Sequence, residues 1–169
     1  MLEDFTEEFR RRYKVECVSA LHHNKSCAIA RCSLERGGLE FCGDCAAYPC
    51  PRYDEFDKAD SFVPHSRRAA DLARAGEMGL DAWLAELEQK RAVLDELLAH
   101  WNDGRRKSLY CAAAYLLEPE ALARMMDALA AKSELAGAPA KERAQAAAAL
   151  LQTEADRAGI RLKLNKGKG

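Results

Sequence analysis

Seven cysteines occur in this chain of 169 residues, and five of them crowd into one run, CAIARCSLERGGLEFCGDCAAYPC. They are Cys27, Cys32, Cys42, Cys45 and Cys50, with Cys17 just upstream. Thiols at this density either cross-link or hold a metal. A structural zinc ion takes four ligands at tetrahedral angles, usually thiolate or imidazole. Cys42-Gly43-Asp44-Cys45 has the two-residue spacing that lets both sulfurs converge on one ion, and Gly43 permits the tight turn. Cys27 and Cys32 are spaced differently. On a continuous helix they stand about 500° apart in rotation, so their sulfurs diverge by about 140°. They share an ion if one of them lies at a helix end. Ser26 is a suitable N-cap that puts Cys27 at the first helical position, where free N–H groups favour thiolate. Alternatively Cys27 ligates and Cys32 packs inside. The favoured ligand set is Cys27, Cys32, Cys42 and Cys45, with Cys50 and Cys17 competing for a place.

Iron–sulfur ligation by four thiolates is the rival chemistry, but neither of the full ferredoxin cysteine runs is present. Zinc is therefore expected, and the iron–sulfur cluster is the alternative. His22 and His23 lie between Cys17 and Cys27, where they would complete a second site or stand exposed in a loop. His65 reads as a surface or capping residue at a helix start. His100 reads as a cation near a helix C-terminus. Cys111 stands alone in an apolar helix, where a buried structural thiol is the default.

Composition chooses between disulfide and metal. The first fourteen residues, MLEDFTEEFRRRYK, have no apolar core, so no secretory signal is expected. No apolar run approaches the roughly 20 residues of a membrane span. A cytoplasmic protein with no membrane partner is expected, and in that reducing compartment structural disulfides are uncommon. The 26 basic and 27 acidic residues leave a net charge of −1, which argues against a whole-surface nucleic-acid binder.

The elements that must position these thiols are sparse. A short amphipathic helix is expected over residues 3–14, with Phe5, Phe9 and Tyr13 four apart. From Cys17 to Tyr53 there is little periodicity, and so little apolar surface to bury that a metal staple is needed. After Pro64 the pattern turns helical. A helix over 65–76 ends near Gly76, and the next starts with Asp81 as N-cap and runs to about Asn102, with Gly104 as the stop. Its apolar face is Trp83, Leu84, Leu87, Leu94, Leu97, Leu98 and Trp101; Glu86, Gln89, Lys90 and Glu96 form the opposite, solvated face. Leu109 to Leu117 reads as a buried core helix. Pro119 opens another, carrying Leu122, Met125, Met126 and Leu129. An alanine-rich helix follows Gly137 and Pro139 and stops at Gly159. Ile160, Leu162 and Leu164 then form a short strand or an extended tail over the helices. The fold expected is mainly α: a small irregular cysteine-rich metal-binding module over 1–64, followed by an α-helical bundle over 65–169.

The cysteine pattern resembles the family of bacterial and archaeal proteins grouped as domain of unknown function 3795. The resemblance rests on Cys27-Ala-Ile-Ala-Arg-Cys32, Cys42-Gly-Asp-Cys45, and Tyr48-Pro-Cys50 with the aromatic-acidic stretch ending at Phe56. It covers about residues 15–85, and it implies zinc bound through these cysteines while assigning no reaction. Two features of that family are missing here. The additional leading cysteine group is absent, and Ala20 stands where a second cysteine follows the position of Cys17. Both departures favour one metal site over two.

No catalytic triad, phosphate loop or paired catalytic carboxylates can be recognised, which favours a non-enzymatic role. The leading expectation is a zinc-stabilised binding or adaptor protein whose helical part meets another protein. The first alternative is a redox-active thiol or iron–sulfur protein, with Cys50 held rigidly between Pro49 and Pro51. The second is a nucleic-acid-binding zinc protein, using the clusters Arg10, Arg11, Arg12 and Lys14; Arg105, Arg106 and Lys107; or Arg161, Lys163, Lys166 and Lys168. The turn Gly104–Ser108 opens a helix and is a candidate for a small anion, with simple helix initiation as the plainer account.

Overall fold

The computed structural model describes residues 31, 32, 35–37, 39, 42–53, 60 and 64–166. The helix expected over residues 3–14, Cys17, His22, His23 and Cys27 lie outside them. The chain forms two compact units, Met1–Glu55 and Phe56–Gly169.

The second unit is mainly α, with no β-strand among the described residues. Its helices are α1 (Arg68–Met78), α2 (Leu80–His100), α3 (Lys107–Leu116), α4 (Pro119–Ala130) and α5 (Ala140–Arg157). Helix α1 runs through Gly76, the expected stop, and ends at Gly79, which takes φ +85° and ψ 151°. A glycine breaks a helix where it adopts a backbone that side chains disfavour, and Gly79 does so where Gly76 does not. Helix α2 starts directly after it. Asp81, the expected N-cap, instead lies inside the first turn, and Gly79 holds the cap position. Its carboxylate there still complements the positive end of the helix.

Helices α2 to α5 enclose the core. Leu97, Tyr110, Ala113, Leu117, Leu122, Met125, Leu129, Ala147, Leu151 and Ala155 are buried together. Small residues at Ala113, Ala147 and Ala155 let backbones approach, and each buried leucine contributes about 1.5–3 kcal/mol by leaving water. The Tyr110 hydroxyl donates to Trp101 O at 2.6 Å and sits 3.4 Å from Ala144 O, so its one polar atom is satisfied inside the core. Leu94, Leu98 and Trp101 pack against this core, but Leu84 at the other end of α2 is exposed. Cys111 is half-buried, not enclosed as its apolar helix suggested.

The expected solvated face of α2 is the chief departure. Glu86 and Lys90 are buried, because α1 lies across them. Arg74 of α1 reaches Glu86 Oε2 at 2.6 Å and Glu118 Oε2 at 2.8 Å. Arg67 meets Glu118 Oε1 at 2.6 Å and donates to Leu116 O at 2.8 Å, satisfying a carbonyl left over at the end of α3. Glu118, at the N-cap of α4, uses its carboxylate on these arginines and makes no side-chain cap bond. Burial works to raise the Glu118 carboxyl, and the bond and charge of Arg67 outweigh it, so it lies below its ordinary value. Lys90 is less well matched: its nearest carboxylate oxygen, Glu86 Oε1, is 3.9 Å away. Burial, then the charge of Arg67, pull its ammonium below the ordinary lysine value. Tyr115 is pushed up to about 12 by burial and by Asp71. On the far side, Glu154 of α5 is buried and accepts from Arg124 of α4 at 2.7 Å and from Arg157.

Helix α5 closes as a Schellman motif. Gly159 takes φ +64°, its N–H donates to Asp156 O, and Ile160 N–H donates back to Ala155 O at 2.8 Å. That reversal turns Ile160 and Leu162 onto the core as an extended tail, not a strand. Asp60 holds the tail's far end. Its N–H donates to Asn165 O at 2.7 Å, and its carboxylate accepts from Asn165 N–H at 2.6 Å and from His65 N–H at 2.8 Å. Burial works to raise the Asp60 carboxyl, but these hydrogen bonds prevail and hold it below its ordinary value. His65 is thus a backbone donor just ahead of α1, and His100 lies exposed at the end of α2, 3.7 Å from Glu96.

No helix among the described residues is long and apolar enough to cross a membrane. In the turn before α3, Gly104 N–H and Arg105 N–H are taken by the side chains of Asn102 and Asp103, and Arg106 lies 3.6 Å from Asp103. Two donors that an anion would use there are already occupied.

Candidate metal centre

The described cysteines of the first unit, Cys32, Cys42, Cys45 and Cys50, are placed by three short turns. Arg31, Cys32 and Glu35 are helical, and Arg36 N–H donates to Cys32 O at 3.2 Å. That is one helical turn, so Arg36 stands on the same face as Cys32. Gly37 follows with φ +93° and lets the chain leave the turn.

The next turn is the 3₁₀ stretch Cys42–Asp44, closed by Cys45 N–H donating to Cys42 O at 3.1 Å. Side chains three apart eclipse in such a turn, which is the physical reason Cys42 and Cys45 face the same way. Tyr48 N–H then donates to Cys45 O at 2.9 Å. The Tyr48–Pro49 peptide is cis. The third turn, Pro51–Tyr53, is closed by Tyr53 N–H on Cys50 O at 3.0 Å. The rings of Tyr48 and Tyr53 meet edge to face, 5.5 Å between centroids at 86°. Pairs in that arrangement gain about 0.5–1.5 kcal/mol beyond burial, and this one joins the second turn to the third.

The three turns surround one cavity of about 370 Å³. Cys32, Cys42, Cys45 and Cys50 all line it, each a free thiol and each half-buried. Cys50 therefore shares a wall with the firm Cys42–Cys45 pair. Of its flanking prolines, Pro51 opens the turn that carries it there. Leu39, Ala47, Tyr48, Tyr53 and Pro51 supply the apolar lining, and Arg36 and Arg52 the charge. Among the described residues, no three cysteine, histidine or acidic side chains are grouped tightly enough to hold one ion. The donor set is nevertheless of the right chemistry, being thiols alone around one space, and soft sulfur suits zinc and iron–sulfur clusters equally.

Arg36 is the residue that cysteine counting overlooks. Its Nη1 donates to Cys45 Sγ at 3.4 Å. The neighbouring side chains of Cys32 and then Cys45 hold its guanidinium above the ordinary arginine value. The signal was present in the sequence as the four-residue step from Cys32, a spacing that places side chains side by side on a helix.

No family model, no curated protein and no solved structure matches this chain.

Proposed function

We propose that the cysteine-rich unit binds zinc through thiolates, and that the ion is structural. The observation that carries this reading is the single cavity walled by four half-buried free thiols. The described part of this unit, three short turns and one aromatic pair, offers little apolar surface to hold it together. Zinc would supply the missing cross-link, drawing sulfurs from Cys32, Cys42, Cys45 and Cys50, with Cys27 and Cys17 as the other candidates. A site closed by four protein ligands leaves no open position for chemistry, so the role that follows is a binding or adaptor protein whose helical unit meets another protein. Elemental analysis of the purified chain should find about one zinc per molecule in a colourless preparation. Full reactivity of all these thiols toward an alkylating reagent, before and after chelation alike, would refute it.

One observation keeps a second reading alive. A cavity of about 370 Å³ has more room than a single ion uses, and an iron–sulfur cluster occupies more space and takes the same ligands. A brown preparation with visible absorbance and iron in place of zinc would decide for the cluster. The resemblance in cysteine spacing supports zinc.

A further inference from the structure

We infer that Arg36 is the outer-sphere residue of this centre, donating to the Cys45 sulfur and offsetting the excess negative charge of the thiolates. This rests on the metal-centre reading above. Four thiolates on a divalent ion leave two negative charges uncompensated by the metal, and in a half-buried cavity that excess is costly. A cation fixed beside the sulfurs relieves it.

Three observations select Arg36 for that task. Its backbone is locked one turn after Cys32, by the bond from its N–H to Cys32 O at 3.2 Å, so the side chain starts from the cavity wall. Its Nη1 already lies 3.4 Å from Cys45 Sγ. Its planar fork offers several donors in fixed directions, which allows contact with two sulfurs at once, where a lysine ammonium is a single mobile point charge. Arg52 lines the same cavity but makes no hydrogen bond to a sulfur among the described residues. It is the natural control, being the same residue type on the same wall.

Donor groups behind metal ligands typically account for about 10–100-fold in metal affinity. Arg36→Gln in the full chain is therefore expected to weaken zinc and cobalt binding by about that factor in chelator competition. With cobalt bound, it should also shift the thiolate-to-metal absorption band and speed alkylation of Cys45 more than of Cys42. Arg36→Lys should recover part of the affinity. Arg52→Gln should stay within about 3-fold of the parent, well under the outer-sphere effect. Equal affinity of Arg36→Gln and the parent would overturn the inference and leave the metal centre standing. Equal losses in Arg36→Gln and Arg52→Gln would overturn it too, since a general charge effect would then suffice. A parent protein that takes up neither zinc nor cobalt would overturn both readings.

Discussion

Among the described residues, three charged side chains are buried, Glu86, Lys90 and Glu154, and Lys90 is the least closely paired of them. It is buried, its nearest carboxylate oxygen is 3.9 Å away, and Arg67 adds repulsion. Glu86 keeps its close partner in Arg74 whether or not the lysine is present. Replacing a poorly compensated buried charge by an apolar chain of similar volume is often neutral or stabilising. Lys90→Met should therefore hold or raise stability at neutral pH by up to about 1 kcal/mol, read from urea unfolding. The sign with pH follows from linkage. The folded protein holds this ammonium below its ordinary value of 10.5, so on the alkaline side the unfolded chain binds more protons. The parent gains stability as pH rises from the lowered value toward 10.5, and the advantage of Lys90→Met should shrink over that window. None of this was legible from residue type. Lys90 and Glu86 look like solvent-facing charges because a hydropathy pattern counts charge as outside, and only the packing of α1 across them decides otherwise. Cysteine chemistry was far more legible, since spacing alone brings Cys42 and Cys45 to one side of a turn. For Arg36 only the four-residue step from Cys32 was legible; its contact with Cys45, nine residues on, depends on how the next turn folds back.

At the scale of elements, two glycines three residues apart make opposite predictions. Gly76 lies inside α1 with nothing within 4 Å of an added Cβ. Gly76→Ala should stabilise the unit by about 0.5–1 kcal/mol, because alanine suits a helix interior and glycine does not. Gly79 also has open space, yet its φ of +85° with ψ of 151° is a conformation essentially reserved for glycine. Gly79→Ala should cost about 1–3 kcal/mol through backbone strain alone. Thermal unfolding of the two variants should move in opposite directions; a common direction would remove the distinction drawn here between the two sites. The helices themselves were readable from apolar spacing and from Pro119, which opens α4 as expected. Their exact ends were less so, because a glycine in a sequence does not announce which one will take positive φ.

For the helical unit as a whole, stability is distributed between a core of alanine, leucine and methionine and a few long-range polar ties. The clasp of Asp60 on Asn165 is the longest of them, spanning 105 residues. Because hydrogen bonds hold the Asp60 carboxyl below its ordinary value of 3.8, its contribution is complete above that value and is lost as pH falls through the lowered one. Acid should release the tail, exposing Ile160 and Leu162, and Asp60→Ala should mimic that release at neutral pH. Hydrogen exchange at Asn165 is the readout: its protection relative to the intrinsic rate at each pH should be lost in the variant and in acid; equal protection in both proteins would count against the clasp. The tail over the helices was one of two readings open to the sequence. The Schellman reversal at Gly159 favours it by aiming Ile160 back at the core.

The same clasp closes the helical unit into something near a ring. Asp60, near the start of the unit, and Asn165, near its end, lie a hydrogen bond apart. Such a chain has no compelled starting place: the order in which its helices are synthesised is separable from the order in which they pack. Joining Asn165 to Asp60 through a short linker and opening the chain in the exposed connection between α4 and α5 would begin translation with α5 and finish with α4. The rearranged protein should keep its helix content and its cooperative melt, because every buried contact described above is indifferent to where the polypeptide is cut.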